Sequence, residues 1–164
     1  MTNPNCRPIY RATSFPRGGL PGAIAALYFI LSQTAFAETS CLIDSVSAVD
    51  FGIYNVFSSS NNNGVGSITI RCKGGGSGFL VTLSSGQSNS YASRTMRSGE
   101  NSLSYNLYTS AARIVVWGDG SGGSSAMSAS KNSTTSLSVF GQIPAGQDAA
   151  IGTYSDSITT IINF

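Results

Sequence analysis

Histidine is missing from this chain, and charge is scarce: Asp, Glu, Lys and Arg make up 10% of its 164 residues. Without histidine, no Ser-His-Asp triad can form. No G-x-S-x-G or P-loop pattern occurs. Ser128-Ala129-Ser130-Lys131 matches S-x-x-K, but the S-D-N and K-T-G partners are absent. That segment is also rich in Ser and Gly rather than helical. Only three cysteines are present, too few without histidine for an ordinary zinc site. Gly118-Asp119-Gly120 offers one carboxylate where calcium needs six or more oxygens, so it reads as a turn. Asp44, Asp50 and Asp156 would act as acid and base only if the fold united them; solvation at strand ends is the simpler role. Neither an enzyme nor a cofactor or metal is expected. No apolar run reaches the ~20 residues of a membrane helix. No helical period persists over 11 or more residues.

What is present begins with an export signal. Arg7, Arg11 and Arg17 precede an apolar run over 23–31, which ends at Ala35-Phe36-Ala37. A basic region, a short apolar core and an A-x-A end describe a secretory signal peptide over 1–37. A buried helix and a transit peptide are the plainer readings of the same stretch. The part upstream of the core is long for a leader, so Met1 need not be the initiator. Cleavage after Ala37 leaves 38–164, the size of one domain. Losing the three arginines turns the formal +2 of the whole chain into about −1. The basic balance therefore belongs to the leader and gives no reason to expect nucleic acid. Cys6 leaves as well. Cys41 and Cys72 remain, an even pair in an exported chain, and read as a disulfide; the alternative is two buried free thiols.

Short β-strands follow one another along 38–164. From 41 to 55 the alternation shifts parity, which predicts a first strand with a bulge. Phe51-Gly52-Ile53-Tyr54 is a second apolar patch, and 58–66 reads as loop. Ile68, Ile70 and Cys72 share one parity and point to the core. After a flexible turn over 73–78, Phe79, Val81 and Leu83 line one face of a strand. Arg94, Met96 and Arg97 are expected to precede the next strand, 103–108, which carries Leu103, Tyr105 and Leu107 on one face. An apolar run over 114–117 leads to a loop over 118–125. Leu137 and Val139 mark the penultimate strand. Asn132-Ser133-Thr134 fits a glycosylation sequon, a pattern common by chance. Seven or so strands with polar turns predict an all-β antiparallel sandwich.

The last stretch, 152–164, alternates most cleanly. Tyr154, Asp156, Ile158, Thr160, Ile162 and Phe164 fall on one face, and small polar residues mostly fill the other. The pattern is that of a half-buried strand. It carries neither Pro nor Lys to blunt a free edge, which raises the question of what completes the sheet beside it.

In order along the chain stand Cys41, Phe51-Gly52-x-Tyr54, Cys72, Arg94-x-Met96, Leu103-x-Tyr105-x-Leu107-Tyr108, Trp117-Gly118-Asp119-Gly120, Phe140-Gly141-x-Ile143 and Gly152-x-Tyr154-x-Asp156. This series resembles the spore coat protein U-like family, which includes subunits of archaic chaperone–usher pili. The resemblance spans nearly all of 38–164. It implies an immunoglobulin-like sandwich lacking its last strand, which a periplasmic chaperone and then a neighbouring subunit supply by β-augmentation. An outer-membrane usher, passage through the periplasm and display on a surface fimbrium follow from the same resemblance. Tyr154, Ile158, Thr160, Ile162 and Phe164 would then border the acceptor groove, and the terminal carboxylate would dock on basic chaperone residues. A fibre subunit should also carry its own donor segment ahead of its first cysteine. If cleavage falls after Ala37, only Glu38, Thr39 and Ser40 precede Cys41, too few to span such a groove at ~3.3 Å per residue. The expectation is a tip or terminal subunit that accepts a strand and gives none. A stand-alone secreted coat or matrix protein is the main rival. A carbohydrate-binding module stacking sugars on Trp117, Tyr91 or Tyr108 is a further one, although Trp117 follows an apolar run that favours core packing.

Overall fold

The computed structural model describes residues 39–74, 78–130 and 133–163. The expected signal peptide, Glu38, Lys131, Asn132 of the sequon and Phe164 lie outside these residues. The described part is all-β, and every ladder between its strands is antiparallel. One sheet holds β1 (Ser40–Asp50), β2 (Asn62–Lys73), β4 (Arg94–Ser98), β5 (Asn101–Tyr108) and β7 (Thr134–Ile143), in the order β1-β2-β7-β5-β4. The other holds β3 (Phe79–Leu83), β6 (Met127–Ala129) and β8 (Thr160–Asn163), in the order β6-β3-β8. A single 3-10 turn, Gly86–Ser88, is the one helical element among the described residues. No helix there is long and apolar enough to cross a membrane.

The period of two sets the layers. On β2 the buried positions fall at Ile68, Ile70 and Cys72, and on β5 at Leu103, Tyr105 and Leu107. These faces meet Phe79, Val81 and Leu83 of β3 across the sandwich. Each fully buried apolar side chain contributes roughly 1.5–3 kcal/mol relative to exposure. Trp117 is fully buried within this layer, and its indole N–H donates to the Val81 carbonyl at 2.9 Å. Cys41 lies directly opposite Cys72 and is bonded to it, so the disulfide fastens the start of β1 to the end of β2.

The bulged first strand is present, with register shifts between Ile43 and Ser45 and between Ser47 and Asp50. The second shift has a consequence across the sheet. There the chain leaves the edge and passes over the inner face of β2 and β7. A Cβ on Gly66 would stand 2.5 Å from the Ser47 carbonyl oxygen, and one on Gly141 would stand 2.6 Å from the Phe51 ring. Only glycine leaves room for backbone and ring at that distance.

Three expectations need correction. Residues 62–66 are not loop: β2 starts at Asn62, because its backbone pairs with β7 as far as Ile143 and its glycines accommodate the crossing chain. Arg94, Met96 and Arg97 do precede the strand over 103–108, but they are themselves a strand, β4, which pairs with β5. The final stretch is regular strand only over Thr160–Asn163. Its earlier part changes partner, bridging Arg97 of β4 at Ser155 before joining β3, so no single neighbour supports one long ladder. The short strand β6, next to Phe79–Val81 of β3, was not foreseen.

The disulfide gives the first test. Replacing both Cys41 and Cys72 with serine opens a crosslink over a sequence separation of 31. The unfolding free energy should fall by about 3–4 kcal/mol, read as a lower urea midpoint, with a slope no smaller than before because the freed unfolded chain is less compact.

Candidate functional site

The two sheets do not close on each other along one side. A groove of about 1030 Å³ runs there. One wall is continuous chain from Val46 to Phe57, the second half of β1 and the segment that follows it. The other wall is nearly every residue from 149 to 160, the segment leading into β8. Core side chains such as Leu83, Met96, Leu103, Tyr105 and Val139 form the floor. β1 and β8 are each an outermost strand of their sheet.

Burial along the walls departs from an ordinary sandwich. Val46 lies opposite Ile68, on the inner face, yet is 63% exposed where Ile68 is 3% exposed. Ile43, opposite the fully buried Ile70, is 40% exposed. On the far wall, Tyr154, Asp156, Ile158, Thr160 and Ile162 are half-buried, and every residue between them is exposed. The alternation is the one read from the sequence, but the inward side chains stop halfway to full burial. Ile53, Phe57 and Ile151 at the same groove stand almost wholly in solvent.

The backbone of the far wall is also only half used. Ser155 exchanges both hydrogen bonds with Arg97, at 2.9 and 3.0 Å. Thr159 accepts from the Ser84 N–H at 2.9 Å and donates its own N–H to Ser84 Oγ at 2.9 Å. In an extended chain alternate residues point their N–H and C=O to opposite sides. Those of Ile158, Thr160 and Ile162 therefore point away from β3, toward the open side.

The sequence motifs sort into two groups by position. Phe51, Gly52, Tyr54, Met96, Tyr105, Gly152 and Asp156 line the groove. Asp50 accepts the Gly52 N–H at 2.8 Å, and Gly52 takes a left-handed φ of 63°, which turns the chain at the groove end. The Phe51 ring packs edge-on against Tyr105 at 5.9 Å. The Tyr54 hydroxyl donates to the Pro144 carbonyl and accepts from the Gln147 N–H, tying one wall to the turn before the other. Tyr105 donates its hydroxyl to Asp156 Oδ2 at 2.7 Å, and Asp156 Oδ1 accepts from the N–H groups of Gln87 and Ser157. Burial, then the bond to Asp156, pushes the Tyr105 phenol far above its ordinary range.

Arg94, Trp117, Gly118, Asp119 and Gly120 stand apart from the groove. Arg94 is fully buried, and its guanidinium donates to the carbonyls of Ser84 and Trp117 and to Asn106 Oδ1. Burial lowers its pKa. Asp119 accepts from the N–H and hydroxyl of Ser121, which closes a turn and holds its carboxyl below the usual range. Gly118 backs onto Ser124. Nothing in this loop gathers three potential metal ligands among the described residues. Trp117, fully buried, offers no face for a sugar to stack on.

Of the residues expected to border a groove, Tyr154, Ile158 and Thr160 line it. Ile162 packs on the core beside it, opposite Val81, and Phe164 lies outside the described residues. Asp44, Asp50 and Asp156 do not come together as acid and base: Asp44 pairs with Arg71 at 2.9 Å, and the other two hold separate backbone groups. Two features were missed. The wall over 46–57 shows no alternation that survives its bulges. Arg94 shares parity with Met96, which was the available signal that it points inward.

Comparisons with known proteins bear on this geometry. A family model described as the Spore Coat Protein U domain matches residues 28–160. Comparison with curated proteins finds no match. Among solved structures, the chain is similar to one in the crystal structure of the CsuC–CsuE chaperone–tip adhesion subunit pre-assembly complex, from archaic chaperone–usher Csu pili of Acinetobacter baumannii. The identity is 26% and the TM-score 0.52; the match covers 77% of this chain and 40% of that one.

The buried phenol supplies a test. Its pKa in the fold lies above the unfolded value near 10, so its contribution is complete below that pH and is lost as pH rises beyond it. Stability should begin to fall as pH rises past about 10 and keep falling as pH rises further, and Tyr105→Phe should flatten that fall. An equally steep fall in the variant would contradict the assignment.

Proposed function

Because the chain belongs to the Spore Coat Protein U domain family, we propose that it is a non-enzymatic subunit of a chaperone–usher surface pilus, whose groove accepts a strand from another chain. The observation that carries this is the groove between β1 and β8, with inward side chains uncovered on both walls. A strand laid there would pair with the free backbone groups of Ile158 and Thr160 and cover Val46, the mode of β-augmentation. Each such side chain covered would add up to roughly 1.5–3 kcal/mol, offset by the cost of ordering the incoming segment.

The order of partners follows from that need. A subunit with this groove open exposes strand edges and apolar surface, a template for aggregation. A periplasmic chaperone would fill the groove first; a neighbouring subunit would replace it at the outer-membrane usher. The likeness to a chain of a chaperone–subunit complex supports the chaperone step. Export to the periplasm and then the cell surface goes with this role.

A second proposal concerns place in the fibre. If the leader is cut after Ala37, three polar residues precede Cys41 and cannot serve as a donor strand. The subunit would then sit at the fibre tip, a position suited to adhesion. The family match reaches back to residue 28, so this boundary is the point to measure. The mass of the exported protein should give Glu38 as its first residue. A start that leaves about ten alternating apolar residues before Cys41 would remove the argument for the tip.

Strand acceptance has its own test. Residues 38–164, exported to an oxidising compartment, should aggregate or melt low when produced alone. A tethered strand of alternating apolar residues should raise the melting temperature by about 10 °C or more. A soluble, cooperatively folded monomer that the tether leaves unchanged would favour a self-complete coat or matrix protein instead.

A further inference from the structure

Part of each groove wall is held by no strand neighbour. Between Asp50, the last paired residue of β1, and Asn62, the start of β2, no residue takes part in a ladder. The same holds between Ile143, the end of β7, and Ser155, the first bridge of the far wall. Apolar walls that face each other across water gain by closing together. Something other than strand pairing must keep these two stretches in place.

Gln147 lies within the second stretch. The register of β5 with β7, Asn106 opposite Gln142, would bring Pro144 opposite Ser104 if it continued. Proline has no N–H to donate, so the ladder stops at Ile143. The Gln147 side chain supplies what the proline lacks. Its Oε1 accepts from the Ser104 N–H at 2.8 Å, and its Nε2 donates to the Ser104 carbonyl at 2.9 Å and to the Pro144 carbonyl at 3.1 Å. An amide side chain thus stands in for a strand residue, on the backbone between the floor residues Leu103 and Tyr105. The backbone N–H of Gln147 donates to the Tyr54 hydroxyl at 2.9 Å, and that hydroxyl donates to the Pro144 carbonyl at 3.0 Å. Among the described residues, no other hydrogen bond joins 51–57 to 144–154.

Resting on the strand-accepting reading, we infer that Gln147 is a positioning residue for strand capture: with Tyr54 it forms a latch that fixes the two walls before a strand arrives. The latch fastens three parts at once. It holds the floor through Ser104, the near wall through Tyr54, and the far wall through the chain that continues from Gln147. Hydrogen bonds suit this task, because they have a preferred direction and length, whereas apolar attraction has none. A groove set in this way spares the incoming strand the cost of ordering its walls. Without the latch the strand must order both, so binding weakens more than the fold does.

The test separates capture from stability. The exported chain carries a tethered, fluorescently labelled strand of alternating apolar residues, with a protease site in the linker. Melting before the cut reads the fold; dilution after the cut gives the Kd of the strand. Gln147→Met removes the side-chain hydrogen bonds at nearly equal length, and Tyr54→Phe removes the hydroxyl. Each should raise Kd by about tenfold, and the double variant by little more than the larger single effect. Ile70→Val, in the core and not among the groove-lining residues, is the comparison. It should lower the melting temperature and leave Kd unchanged. If Gln147→Met or Tyr54→Phe shifts Kd no more than Ile70→Val does at equal loss of melting temperature, the inference is overturned and strand acceptance stands. Free-energy losses that simply add would also overturn it, because two independent contacts are not one latch. If the unaltered chain does not retain the strand after the cut, strand acceptance and the latch fall together.

Discussion

The buried guanidinium of Arg94 holds together the parts on which the groove depends. It reaches Ser84 at the end of β3, Asn106 on β5 and the Trp117 carbonyl before the 118–125 loop. One cation therefore clasps the two sheets. Ser84 is used twice, because its N–H and hydroxyl also fix Thr159. The far wall of the groove is thus placed by the same residue that receives the arginine. A buried charge is tolerable only when its donors are satisfied; here three separate oxygens satisfy them, with the Tyr91 ring 5.2 Å from the guanidinium carbon.

The near wall obeys a different constraint. The chain after β1 must pass over a sheet to reach the groove end, and backbone cannot cross packed side chains. Gly66 and Gly141 clear the path, and Phe51 takes the space above Gly141. Tyr54 then ties the far side of the crossing to the turn at Pro144. The walls are consequently held at fixed places on either side of the groove. This is how a fold can be well packed in its core and still leave Val46 and Ile158 short of burial.

The polar side chains that stood out in the sequence are committed to holding the fold. Asp156 is occupied by a phenol and two backbone amides, and Asp119 by a serine in its own turn. Trp117, the one tryptophan, is spent on the core. What the groove leaves exposed is backbone edge and apolar surface.

Much of this was legible before the fold was seen. The absence of a helical period, the period of two in 68–72, 79–83 and 103–107, and the cysteine pair together pointed to an all-β sandwich with a crosslink at its first hairpin. The alternation over 154–162 determined which side chains face inward, because in extended chain the parity of a residue fixes its side. Sequence parity cannot say what lies opposite, and that the tertiary structure alone decided. It placed the uncovered stretch of β1 across from the final segment, made 94–98 a strand in its own right, and set Asp156 on the Tyr105 hydroxyl. These depend on pairings between residues tens of positions apart, and on glycines whose role appears only when another part of the chain lies on top of them.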